Sequence, residues 1–102
     1  MFGYEQGDIL KIEHFHYPVM VVSNNFFNKS GKAIVCPIAE NVIESAFHRR
    51  VDTIDFSGTV LCEQMKYLDL DKRGFSMIAH VSINEIIDIS DILQGVFEYV
   101  EQ

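Results

Sequence analysis

The chain has 102 residues, 48% of them apolar, and a mean hydropathy of +0.09. Eight Lys and Arg against fifteen Asp and Glu leave a net charge of −7. This excludes a general nucleic-acid coat protein, because phosphate neutralisation supplies most non-specific affinity. No run of about 18 apolar residues occurs, so no membrane-spanning helix is expected. The length predicts one domain over residues 1–102. The apolar fraction, rich for this size, predicts that a second copy of the chain covers part of the surface as a homodimer. The acidity is uneven: residues 1–73 hold all eight bases with ten acids, whereas residues 74–102 hold five acids and no base. The opening segment Met1–Gly7 lacks the basic and apolar regions of a secretory leader. Cys36 and Cys62 sit inside apolar runs and read as buried, reduced thiols. Both features predict a cytoplasmic protein.

In chain order, Asp8–Glu13 reads as a first strand, with Leu10 and Ile12 at two-residue spacing. His14-Phe15-His16 is a tight connection into a strand over Tyr17–Ser23, whose Pro18 belongs at a strand end. Asn24–Lys29 reads as one helical turn or compact loop, with Phe26 and Phe27 sealing the end of the sheet. A polar turn at Asn28–Gly31 precedes the apolar strand Ala33–Ile38. Phe47–Val51 is the next strand, with Phe47, Arg49 and Val51 on one face and His48 and Arg50 on the other. Ser57-Gly58 reads as a turn leading into Thr59–Leu68, a long β run that bends or divides in two. Asp69–Gly74 reads as a solvated turn, and Phe75–His80 as the last strand.

The pattern then turns helical. Ser82 and Glu85 have capping-box spacing, followed by Ile83, Ile86 and Ile87. Ser90 reads as the cap of a second helix with Ile92, Leu93, Val96, Phe97 and Val100 as its apolar stripe. Gly95 weakens that helix unless a close contact with the sheet needs the space. Short strands first and helix last predict a mainly β fold, a small barrel with a C-terminal helix.

Four segments together resemble the MazF/PemK (Kid) family of bacterial toxins. Gly7-Asp8-Ile9-Leu10 is similar to its first strand, Pro18–Ser23 to its second and Val35-Cys36-Pro37-Ile38 to its third. Gly58–Lys66 is similar to a later strand, so the resemblance runs from about Gly7 to the C-terminus. It implies a homodimeric, SH3-like barrel of the CcdB/MazF/PemK type, partnered by a cognate antitoxin. The implied activity is a metal-independent endoribonuclease acting on single-stranded RNA. In that reaction the 2′-hydroxyl attacks the adjacent phosphate, which needs a base, an acid and groups that stabilise the phosphorane charge.

The family usually places an arginine before the second-strand proline and a Thr or Ser just after the third-strand proline. Tyr17 and Ala39 occupy those places here, and the loop between the first two strands is short. His16 falls where some members carry a histidine, and its ordinary pKa suits proton transfer near neutrality. His14 would share a face with His16 if the segment were extended, Glu13 could orient one of them, and Tyr17 could donate to a phosphate. Arg49, Arg50 and Lys66 are the candidate phosphate contacts, with only one of the two arginines able to enter a given groove. Gln64 either satisfies backbone groups in the barrel or contacts a base. No fourth ligand at recognisable spacing joins Glu13, His14, His16 or His48, so no metal site and no cofactor is expected. Three functions stay open: a ribonuclease with a reshaped site, a catalytically degenerate dimer that binds protein or nucleic acid, and a CcdB-like gyrase poison.

Overall fold

Seven strands and two helices account for the chain in the computed structural model, which describes residues 3–100. The segment Met1–Gly7 begins outside the described residues, and Glu101 lies outside them as well. The strands are β1 (Asp8–Ile12), β2 (Val19–Val21), β3 (Lys32–Ala39), β4 (His48–Asp52), β5 (Ser57–Leu61), β6 (Lys66–Asp69) and β7 (Phe75–His80). The helices are α1 (Asn25–Asn28) and α2 (Ile83–Phe97), and short 3-10 turns occupy Cys62–Gln64 and Leu70–Lys72. All pairings are antiparallel, in the order β4-β5-β3-β2-β1-β7, and β6 also pairs with β3. The result is the mainly β, SH3-like half-barrel with a C-terminal helix that the sequence predicts.

Both faces of the central strands are buried, which is why these segments read as apolar runs rather than alternations. Ile9 stands opposite Met20, and Leu10 opposite Val19. The first pair joins Cys36, Ile38, Val51 and Val60 under α2. The second joins Val21, Ala33, Val35, Leu68 and Leu70 on the other side. Cys36 and Cys62 are buried free thiols. Burial pushes their pKa values up to about 12 and about 11, so they act as small apolar side chains.

Several boundaries differ from the sequence reading. Ser57 and Gly58 lie within β5, not in a turn before it, whereas the long run divides in two as expected, breaking at the 3-10 turn after Leu61 and resuming as β6. The Asn24–Lys29 segment is the expected helical turn, but Phe26 is 82% exposed and seals nothing. Its anchor is the fully buried Asn28 amide, which donates to the Ser23 carbonyl at 3.1 Å and accepts from the Ser23 hydroxyl at 2.5 Å. That clamp turns the rings outward, and Phe27 leans edge-on against Tyr67.

One helix replaces the two expected. No breaker interrupts Ile83–Phe97, and Ile89, buried between the two expected segments, makes Ile86, Ile89, Ile92 and Leu93 one continuous contact with the sheet. Ser90 therefore sits inside the helix, and Val100 lies beyond its end, exposed. Gly95 faces open space, so no close contact requires it.

The capping box forms as predicted and does a second task. Glu85 accepts from the Ser82 backbone N–H and the Ser82 hydroxyl, and its other oxygen accepts from the Asp52 N–H on β4 at 3.0 Å. Burial pushes the Glu85 carboxyl up, but these hydrogen bonds outweigh it and hold the group below the usual carboxylate range. Arg49 reaches Asp88 on α2 at 2.8 Å, a second tie between β4 and the helix. Glu85→Ala should destabilise the protein by about 2 kcal/mol, from the lost cap and the orphaned Asp52 donor. Asp88→Ala, which opens a half-exposed ion pair, should cost no more than about 1 kcal/mol. Urea unfolding of both variants checks this; wild-type stability in Glu85→Ala would show that apolar packing alone docks the helix.

Candidate active site

Strands β2, β3 and β5 meet at a cleft of about 330 Å³ lined by His16, Tyr17, Pro18, Ile38, Ala39, Glu40, Phe56 and Ser57. Register explains the meeting. Val19 pairs with Pro37, and the Ile38 N–H donates to the Pro18 carbonyl at 2.9 Å, which fixes Tyr17 beside the end of β3. On the other edge, Ala39 pairs with Thr59, which brings Ser57 to the same end. The Lys66 ammonium lies 5.8 Å from the centre of the Tyr17 ring. One imidazole, one phenol, one carboxylate, one hydroxyl and one nearby cation therefore converge on a small open cleft. This set can exchange protons and hold an anion.

The other expected groups do not join His16. His14 adopts φ of 70° in a turn closed by the Phe15 N–H donating to the Ile12 carbonyl. The segment is thus not extended, and the two imidazoles do not share a face. His14 instead borders clefts with Glu13, Lys72 and Arg73. The Glu13 carboxylate lies over Gly74, where any Cβ would strike it. Neither Glu13 nor His14 orients His16.

The arginines part as their alternation predicts. Arg49 points under α2 to Asp88 and also donates to the Arg50 carbonyl. Arg50 points to the opposite side, pairs with Asp52 at 3.3 Å, and lines a larger cleft of about 640 Å³ with Val42, Ile43, Glu44, Ser45, His48 and Thr59. Gln64 is exposed on the 3-10 turn rather than tucked into the barrel. Sequence reasoning missed Glu40, Phe56 and Ser57 in the His16 cleft. Ser57-Gly58 has the composition of a turn, and only the strand register reveals its place.

Among the described residues, Glu5, Asp8 and His80 bring potential metal-ligand atoms within 4.8 Å of one another. The buried Asp8 carboxylate already accepts from the Glu5 N–H at 2.8 Å and faces His80 Nδ1 at 2.7 Å. Those bonds close the turn before β1 and tie it to the end of β7, which accounts for the cluster without an ion.

The family described as PemK-like, MazF-like toxin of type II toxin-antitoxin system matches residues 5–97. The chain belongs to that family. Among solved structures it is similar to a MazE-MazF complex from Deinococcus radiodurans, with 19% identity and a TM-score of 0.82 over 94% of this chain and 97% of that one. It is also similar to an endoribonuclease in complex with its cognate antitoxin from Mycobacterial species, with 16% identity and a TM-score of 0.79 over 95% and 99%. The Mycobacterium tuberculosis toxin MazF-mt6 shares 16% identity, with a TM-score of 0.70 over 87% and 95%. At these identities the likeness is one of fold. Comparison with curated protein sequences gives no match. Among the described residues, no helix is long and apolar enough to cross a membrane.

Within this MazF-like fold the larger cleft has its own ionic fixture. His48 Nδ1 lies 2.9 Å from the Ile43 carbonyl, and Nε2 lies 3.0 Å from the Glu63 carboxylate. Both partners only accept, so the imidazole satisfies both only when each nitrogen carries a proton. The Glu63 hydrogen bond, then the Ile43 carbonyl, raises the His48 pKa, and the same bond lowers that of Glu63. A raised folded pKa means that this contribution is complete below about 6.5, the ordinary histidine value, and disappears as pH rises through the folded value. The Tm of the protein should accordingly fall over that window relative to His48→Gln, and amide exchange in residues 40–47 should quicken. Parallel Tm curves for the two proteins would exclude the fixture.

Proposed function

We propose that the chain is a cytoplasmic type II toxin that cleaves single-stranded RNA without a metal, through a reshaped MazF-type site. The observation that carries this reading is the convergence of His16, Tyr17, Glu40 and Ser57 on one cleft, with the Lys66 ammonium above Tyr17. Tyr17 and Ala39 stand where the family usually places arginine and a hydroxyl residue; Lys66, beside the Tyr17 ring, and Ser57, lining the same cleft, offer groups of matching chemistry. In the reaction the 2′-oxygen bonds to phosphorus as its proton passes to a base, and the P–O5′ bond breaks as the 5′-oxygen takes a proton. The products are a 2′,3′-cyclic phosphate and a 5′-hydroxyl. His16 suits one proton transfer, and Glu40 is the carboxylate placed for the other. Lys66, the Tyr17 hydroxyl and the Ser57 hydroxyl would meet the phosphorane charge. Gln64 and Arg50 are exposed and could meet RNA outside the cleft, Arg50 by leaving its exposed pair with Asp52, whereas Arg49 is held by Asp88.

The chain would work as a homodimer paired with an antitoxin. Ile83 and Ile87, one turn apart on α2, and Phe97 at its end are all more than half exposed, a surface suited to a partner. A second reading, a non-catalytic binding module, is favoured by Tyr17 and Ala39 themselves and by the net charge of −7.

Induced expression with gel analysis of a defined single-stranded RNA separates the readings. Cleavage supports the enzyme, growth arrest with intact RNA supports poisoning of a protein target such as gyrase, and neither supports the binding module. If RNA is cut, His16→Ala should slow cleavage about 10²- to 10⁴-fold without unfolding the protein, and EDTA should have no effect. Tyr17→Arg with Ala39→Thr should raise activity. An unchanged rate in His16→Ala would refute the histidine mechanism; where wild type cuts no RNA, a double variant that is also inert supports the binding module. Light scattering should give about twice the chain mass of 11.7 kDa, and a monomer at micromolar concentration would remove the dimer.

A further inference from the structure

Beside the His16 cleft runs a row of two aromatic side chains with a cation at each end. The Arg73 guanidinium lies 5.3 Å from the centre of the Phe15 ring. Phe15 meets Tyr17 at 5.6 Å with the rings inclined by 61°. Lys66 closes the row, 5.8 Å from the Tyr17 ring. We propose that Arg73, Phe15, Tyr17 and Lys66 form a stacking strip for unpaired bases of single-stranded RNA, leading into the His16 cleft. The inference rests on the RNA reading above and extends it to a binding surface with its own chemistry.

Backbone bonds hold the row in place. The turn at His14 folds Phe15 back, so that Phe15 and Tyr17 both pack at the margin of the Leu10 and Val19 core cluster. Both rings are half-buried, with one part seated on the core and the rest in solvent. Leu70 is buried in that same cluster, and the Arg73 N–H donates to its carbonyl. The Glu13 N–H donates to the Gly74 carbonyl at 2.9 Å, joining the two segments that carry Phe15 and Arg73. The rings are therefore seated on the core, while the cations over them are exposed.

Fixed aromatic faces with exchangeable cations are what single-stranded nucleic acid uses. Every base has a π-face, so stacking on Phe15 and Tyr17 is tolerant of sequence. A base that enters displaces the guanidinium or ammonium from the ring, and the displaced cation meets the adjoining phosphate. Glu13, Asp69 and Asp71 lie near Arg73 and Lys72 and keep the strip from being strongly basic. Affinity would then come from stacking more than from charge, which is how a chain of net charge −7 could hold RNA.

The test is fluorescence anisotropy with the full chain and a labelled 2′-O-methyl RNA of about ten nucleotides, a length within ordinary single-strand site sizes. The methyl groups block attack by the 2′-oxygen. Phe15→Leu keeps the apolar filling and removes the ring; it should weaken binding about tenfold and leave the salt dependence unchanged. Arg73→Gln should weaken binding and reduce the slope of log K against log salt by about 0.7, one phosphate contact on a single strand. An abasic strand of the same length should bind wild type weakly and be indifferent to Phe15→Leu. Circular dichroism and Tm confirm that each variant is folded. If wild type binds RNA and both variants bind it equally well, the strip is wrong and the RNA reading stands. If folded wild type binds no RNA even at low salt, both fall. If polyglutamate competes as well as RNA and Phe15→Leu weakens both alike, the surface serves an acidic protein segment and the proposal is overturned.

Discussion

The change of partner along β3 is the constraint on which the rest of the structure depends. One edge of this strand pairs with β2, while the other pairs first with β6 through Lys32–Val35 and then with β5 through Ile38 and Ala39. N–H groups alternate edges along a strand. The Ile38 N–H donates toward Pro18 on the β2 side, so the position that would aim a donor at the junction is residue 37, and it is proline. A proline in a central strand would ordinarily leave a ladder bond unmade. Here it falls where the ladder passes from one partner to the next, opposite the 3-10 turn at Cys62–Gln64. No bond is forfeited, and the strand gains a place where three neighbours converge. The His16 cleft and Lys66 both lie at that junction.

A second constraint acts through β4 and the helix. Helix α2 could cover the Ile9 and Val60 cluster by apolar packing alone, but packing is non-directional and would tolerate a slide or rotation. The Glu85 carboxylate removes that freedom, because it binds the helix's own first turn and the Asp52 N–H at once. Arg49 and Asp88 fix a second point one turn further along. Once Arg49 is committed to the helix, strand alternation leaves Arg50 and His48 on the opposite face, where they line the larger cleft. The same pleat thus settles the docking of the helix and the chemistry of the groove.

Strand positions were legible wherever apolar residues faced a core on both sides, as in Ile9–Ile12, Val19–Val21 and Ala33–Ile38. The helix start was legible because Ser82 and Glu85 satisfy each other within one turn, a purely local condition. Its length was not, since Ser90 looks like a cap only until Ile89 is seen to be buried. The His14 and His16 pair failed for a related reason. Their spacing places both on one face of a strand, but the His14 backbone enters the left-handed region and the alternation stops. Ser57 and Glu40 were invisible because their neighbourhood is made by register between β3 and β5, which no local pattern encodes. Arg73 was read as a solvated turn residue, since nothing in its own segment points to Phe15, 58 positions away.

These outcomes share a physical origin that bears on the site. The residues that make the half-barrel are apolar and two-sided, so most substitutions among them would cost stability. The groups in the cleft sit at strand ends and in short loops, where a change of side chain disturbs little packing. Tyr17 and Ala39 are such positions: one packs at a core margin and the other ends β3. A phenol beside an exposed lysine in this cleft sets a polarizable ring under a cation rather than a guanidinium against the cleft wall. That arrangement gives up bidentate grip on phosphate, and it gains a surface on which a base can lie. A cleft whose margin is aromatic more than basic favours contacts with bases over contacts with phosphate, in keeping with a body in which ten acids face eight bases.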